Sequence, residues 1–190
     1  MTLIFYIFIA IITFFAFLHA WAKKDFDISR TVVINRPKEE VYNFVRQLKK
    51  EHLWMPWFEK DFNGILKYKG DDGKLEALLY WKGHKHFYEG TQKIVKLNQG
   101  KIVETRFLIV KPFRFVILEY KGLKEIDETK TKIVWGIRGG LVFPFSVIAL
   151  IHPVDKAYGK DIEKGLQKIK NILEVKNEKT IYTNSILPNK

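Results

Sequence analysis

Apolar and polar positions divide this chain into two regimes. From Met1 to Ala22 there is no Lys, Arg, Asp or Glu, and Lys23-Lys24 close the run. At ~1.5 Å per residue, a helix of this length covers roughly 33 Å, enough to cross a bilayer's hydrocarbon core of about 30 Å. Beyond it the apolar residues recur with the periods of water-soluble elements. Ser29 to Asn35 alternates and is β-branched, which predicts a strand. Pro37 then suits a first helical position, with Glu39 and Glu40 in the first turn and Lys49 and Lys50 near the end. Val41, Phe44, Val45 and Leu48 give that helix one apolar stripe. Leu53 to Phe58 is aromatic and interrupted by Pro56, so it reads as a short helical turn or loop folded over a sheet.

Six further strands are predicted: Asn63 to Lys69, Lys74 to Trp81, Lys85 to Leu97, Lys101 to Val110, Arg114 to Ile126 and Thr131 to Gly139. Gly70-Asp71-Asp72-Gly73, Asn98-Gln99-Gly100 and Asp127 to Lys130 punctuate them as turns. Such short links imply an antiparallel meander. The last element is a long helix opened by Pro153, with Ile162, Leu166, Ile169 and Leu173 on one face. An apolar face of that length needs a large partner, and the curved sheet supplies it. The stretch 175–190 is polar, patternless and expected to be disordered.

The apolar run has two readings. Ala20-Trp21-Ala22 resembles a signal-peptide cleavage site, but nothing basic precedes the run, which is longer than a usual signal core. A retained transmembrane anchor over residues 1–22 is the favoured expectation. Lys23, Lys24, Arg30, Arg36 and Lys38 all follow the span, so the positive-inside rule places the soluble domain in the cytoplasm.

Composition narrows the chemistry. There is no cysteine, which excludes disulfides, thiolate metal sites and a cysteine nucleophile. The net charge of +12 favours anionic partners, either lipid headgroups or nucleic acid, or simply reflects a solvated lysine-rich surface. The lysines are dispersed and no nucleic-acid-binding motif accompanies them, so no nucleic-acid partner is expected.

Several motifs occur in an order that resembles the START-like superfamily, especially its polyketide cyclase/dehydrase-type branch. Ile28 to Val45 (ISRTVVINRPKEEVYNFV) resembles the family's opening strand and helix, and Trp54-Met-Pro-Trp57 its tryptophan-bearing segment. Gly90 to Ile94, Lys111-Pro112-Phe113 and Thr131 to Trp135 fit its strands, and Gly159 to Glu174 its closing helix. The resemblance covers about residues 26–174. It implies an α+β helix-grip fold, a curved antiparallel sheet wrapped around a long C-terminal helix, with a deep cavity for lipids, sterols, polyketides or other apolar molecules. It implies no catalysis by itself, and no catalytic motif carries over.

Strand phasing then suggests which side chains meet such a ligand. If Ile94 faces the cavity, so do Tyr88 and Gln92, followed by Val103, Thr105, Phe107 and Ile109, and by Ile133, Trp135 and Ile137. Trp54, Trp57 and Phe58 form either a lid or a packed aromatic cluster. The expected ligand-contacting set is Trp54, Trp57, Tyr88, Gln92, Thr105, Phe107, Trp135 and Leu166. His84 and His86 share a strand face without a recognisable third ligand, so no metal and no cofactor is expected. Glu89, Glu104, Glu119 and Arg106 are scattered strand charges that spacing alone does not bring together. Asp71-Asp72-Gly73 lacks the glutamate of a calcium loop, since Lys82 stands at its twelfth position.

The leading expectation is a noncatalytic, membrane-tethered domain holding a lipid or other hydrophobic small molecule. The alternatives are a cyclase/dehydratase-type enzyme acting on an aromatic or polyketide-like substrate, and a partner-binding module whose cavity has collapsed.

Overall fold

The structure, a computed structural model, describes residues 2–58, 64–83, 88–111 and 113–186, with side chains up to Val175. Helix α1 (Thr2–Trp21) is apolar along its length and has no buried residue. Strand β1 (Asp25–Ile34) follows almost at once, then α2 (Lys38–Val45) and two 3-10 turns, Leu48–Leu53 and Pro56–Phe58. The sheet is completed by β2 (Ile65–Lys69), β3 (Leu78–Lys82), β4 (Glu89–Asn98), β5 (Ile102–Lys111), β6 (Phe115–Asp127) and β7 (Lys130–Gly140). A short helix, α3 (Phe145–Ile151), leads into the long α4 (Val154–Ile186).

All strand pairs are antiparallel, in the order β1-β7-β6-β5-β4-β3-β2. The expected meander is therefore present, and β1 closes it by pairing with β7. Ile162, Leu166, Ile169 and Leu173 of α4 are buried against the sheet's inner face, the helix-grip arrangement. Arg36 fixes the far end of this contact: its guanidinium donates to the carbonyls of Leu173 and Glu174 at 2.7–2.8 Å.

Three local features differ from the sequence reading. Helix α2 stops at Val45 and does not run on to Lys50, because Gln47 is extended and Asp72 Oδ1 accepts the Leu48 N–H at 2.8 Å. The chain restarts there as a 3-10 turn that swings Glu51 into the interior. Helix α3 arises in a stretch, Leu141 to Ile151, whose apolar residues have no period to announce it. The α4 backbone continues to Ile186, past the domain end expected at residue 174 and into the tail expected to be disordered. No Gly or Pro lies between Gly165 and Pro188 to stop it.

Candidate functional site

The inward face of the sheet carries two sites in succession. Along β5 the inward residues are Val103, Thr105, Phe107 and Ile109, all buried, and along β6 they are Phe115, Ile117, Glu119, Lys121 and Leu123. The register sets Thr105 opposite Glu119, Phe107 opposite Ile117, and Lys121 opposite Trp135. One half of the interior is therefore charged and the other apolar.

The charged half is a closed network. Lys121 Nζ donates to Glu51 Oε1 at 2.8 Å and to Glu119 Oε2 at 2.9 Å, and all three side chains are at most 1% exposed. Thr105 Oγ1 donates to Glu119 Oε2 at 2.5 Å, Gln92 Nε2 to Glu51 Oε1 at 3.0 Å, and Trp135 Nε1 to Glu119 Oε1 at 2.7 Å. The ammonium also lies 5.2 Å from the centre of the Trp54 ring, a cation–π contact. Burial pushes the Glu51 carboxyl up to about 7; Lys121 pulls the other way and Glu119 pushes further up. Burial disfavours the Lys121 ammonium, but Glu119 and Glu51 outweigh it and hold its pKa above the ordinary 10.5. Ionising Glu51 adds a negative charge to a cluster that no solvent reaches. Glu51 Oε2 has no hydrogen-bond partner among the described residues, which adds to the cost of ionising it.

The apolar half encloses a cavity of about 450 Å³. Phe26, Ile109, Phe115, Ile117 and Ile137 from the sheet line it, with Trp57 and Phe58 from the second 3-10 turn. Phe145, Ile148 and Ala149 of α3 and Val154, Ala157 and Tyr158 of α4 complete the wall. Among the described lining residues, the side chains bearing nitrogen or oxygen are Trp57, Trp81, His152 and Tyr158. Burial, then Asp161, keeps the Tyr158 phenol above its ordinary pKa of 10, so it remains a neutral hydroxyl at physiological pH. The volume falls within the roughly 300–1,000 Å³ of pockets for small molecules.

An aromatic partition separates the halves. Trp57 meets Trp135 at 6.0 Å between ring centres, Phe107 at 6.2 Å and Tyr158 at 6.4 Å. Trp135 meets Trp54 at 4.9 Å, edge to face. Helix α4 can lie on this partition because residue 165 is glycine: a Cβ there would stand 2.4 Å from a Trp135 ring carbon.

The residues expected to contact a ligand are thus distributed over both halves. Trp57 and Phe107 line the cavity. Trp54, Gln92, Thr105 and Trp135 are buried in or against the charged network. Leu166 is core under α4, and Tyr88, just before β4, is half-exposed. His84 and His86 lie outside the described residues. The sequence reading missed Glu51 and Lys121. Lys121 carried a usable signal, since it stands two residues from Glu119 and so shares its inward face.

No protein-family model and no curated protein matches the sequence. Solved structures do match the fold. Norcoclaurine synthase from Thalictrum flavum superposes with a TM-score of 0.59 at 11% identity, over 80% of this chain and 96% of that one. The same enzyme in complex with dopamine and hydroxybenzaldehyde gives 0.58 at 9%, over 83% and 91%. A protein from Chromobacterium violaceum gives 0.53 at 12%, over 80% and 99%. The chain therefore has the START-like helix-grip fold, preceded by an apolar helix. At these identities the likeness is one of fold alone, and it assigns no family.

Proposed function

We propose that this chain is a membrane-anchored domain that holds one lipid-derived or other apolar small molecule between its sheet and α4. The cavity carries this reading: a volume of about 450 Å³ walled by aromatic and aliphatic side chains, with Tyr158 and His152 as polar points. A protein of the same fold, norcoclaurine synthase, forms a complex with dopamine and hydroxybenzaldehyde, which supports the reading. Helix α1, with 20 residues and no buried side chain, is the anchor. Exposed Lys23 and Lys24 at its C-terminal end favour a cytoplasmic domain.

The cyclase/dehydratase-type reading has less support. Acid–base chemistry needs a titratable group within hydrogen-bond reach of the substrate. Glu51, Glu119 and Lys121 stand behind the Trp57–Phe107–Trp135 partition, and no carboxylate, Lys or Arg is among the described lining residues. A collapsed cavity serving only to bind a partner is disfavoured by its volume.

Extraction and native mass spectrometry of the detergent-purified full chain test the proposal. An apolar molecule retained in stoichiometric amount, and a melting temperature raised by adding it back, are the expected results. An empty domain whose melting temperature no apolar ligand moves contradicts it.

A further inference from the structure

The rim of the cavity is itself apolar, and it adjoins the end of the anchor. His19, in the last turn of α1, meets Ser146 of α3 at 2.7 Å (Nδ1 to Oγ) and lies edge-on to Phe143 at 5.9 Å between ring centres. Leu141 N–H donates to the Lys24 carbonyl at 2.5 Å, and Ala22, two residues before Lys24, is buried. These ties set α3 at the level where α1 leaves the membrane. There the chain exposes Phe113, Val142, Phe143, Ile148 and Ile151, the last at 75%. A contiguous apolar patch of this kind on a soluble surface marks an interaction site. Phe113, Val142 and Ile148 belong to the patch and to the cavity wall alike, so the patch adjoins the mouth. Lys23, Lys24 and Arg114 are exposed beside it, where anionic headgroups would lie.

We propose that the cavity mouth, formed by α3 and the Phe113 turn, is seated in the lipid interface of the bilayer that α1 crosses, so that ligand passes between bilayer and cavity without entering water. This rests on the membrane-anchored reading above and adds to it the occupant of the mouth. Helix α3 is apolar apart from the buried Ser146, and its exposed Ile148, Leu150 and Ile151 are side chains that the headgroup–acyl boundary accepts more readily than water does. Its other face already belongs to the cavity.

The chain has no cysteine, so single-cysteine labels can be placed at will. The full chain carrying Ile151→Cys, or Glu128→Cys in the β6–β7 turn at the opposite end of the domain, is labelled with an environment-sensitive dye. It is then reconstituted in vesicles of three parts phosphatidylcholine to one part phosphatidylglycerol. The seated mouth predicts that residue 151 is quenched by spin-labelled lipid and shielded from aqueous iodide, with the reverse at residue 128. Iodide quenching at 151 equal to that at 128 overturns it. Shielding at 151 from both quenchers overturns it too, and points to a second copy covering the patch.

N-phenyl-1-naphthylamine, added in the same samples, separates this proposal from the one it rests on. Lipid quenching at 151 with no binding of the probe upholds the seat and removes the binding function. Ile151→Asp, which changes the rim and no lining residue, should slow probe uptake from vesicles several-fold while its affinity in detergent stays constant. Unchanged uptake overturns direct passage from the bilayer.

Discussion

Lys121 Nζ lies 2.8 Å from Glu51 Oε1, a contact between β6 and a 3-10 turn seventy positions earlier. Neither group reaches solvent; Lys121 is the cation facing both Glu51 and Glu119, and it keeps Glu119 at 2.9 Å if Glu51 is lost. Lys121→Met would leave Glu51 and Glu119 facing one another with no counter-charge. Removing one partner of a buried ion pair costs about 3–5 kcal/mol. Urea unfolding should show a loss in that range for Lys121→Met and a far smaller change for Glu51→Gln. Equal losses in the two variants contradict the arrangement.

The raised Glu51 pKa makes stability fall with rising pH. The carboxyl titrates near the ordinary 4.5 in the unfolded chain and at about 7 in the folded one. Between those values the folded state holds the extra proton, so this group destabilises the fold progressively from pH 4.5 to 7, by an amount on the order of 3 kcal/mol. Melting curves should show the wild type less stable at about pH 8 than at about pH 5, with Glu51→Gln flattening the difference. A wild-type profile that matches the variant's rules it out.

Ala149, on α3, lines the cavity and carries little of the core. Ala149→Trp should fill the space next to the mouth and weaken binding of an apolar probe by at least about tenfold, or roughly 1.4 kcal/mol. The melting temperature should scarcely change, because the charged network and the α4 contact are untouched. Fluorescence titration measures the first and a thermal scan the second. Undiminished probe affinity would mean that this space is not where apolar molecules bind.

Gly165 is where α4 comes closest to the aromatic partition. Gly165→Ala gains up to about 1 kcal/mol of helix propensity. It also drives a methyl group to 2.4 Å from the Trp135 ring, and such overpacking typically costs about 1–3 kcal/mol. Net destabilisation is expected by urea unfolding, together with altered near-ultraviolet dichroism from the displaced tryptophans. A stabilised variant would show that the helix does not rest on Trp135.

The sequence announces the fold more fully than the site. Alternation along β4 to β7 points Gln92, Thr105, Phe107 and Trp135 inward, and the 3–4 spacing of Ile162, Leu166, Ile169 and Leu173 identifies the helix that covers them. Glu51 could not be found this way. Its place depends on the break at Gln47, which Asp72 stabilises from another part of the chain. The division of the interior was equally hidden, because the partition is completed by Trp57, whose turn has no period. Helix α3 was masked by the uniform apolarity around it.

Trp135 has a consequence beyond packing. Its indole N–H is bound to the charged network while its ring abuts Trp57 on the cavity side. The ion network and the cavity wall are thereby built from different residues. Exchanges at Ile109, Ile137 or Ala157 can reshape the space offered to a guest without disturbing the ions that hold the sheet to the turn. The interior can thus be reshaped on one side of Trp135 while the ion network on the other side keeps its partners.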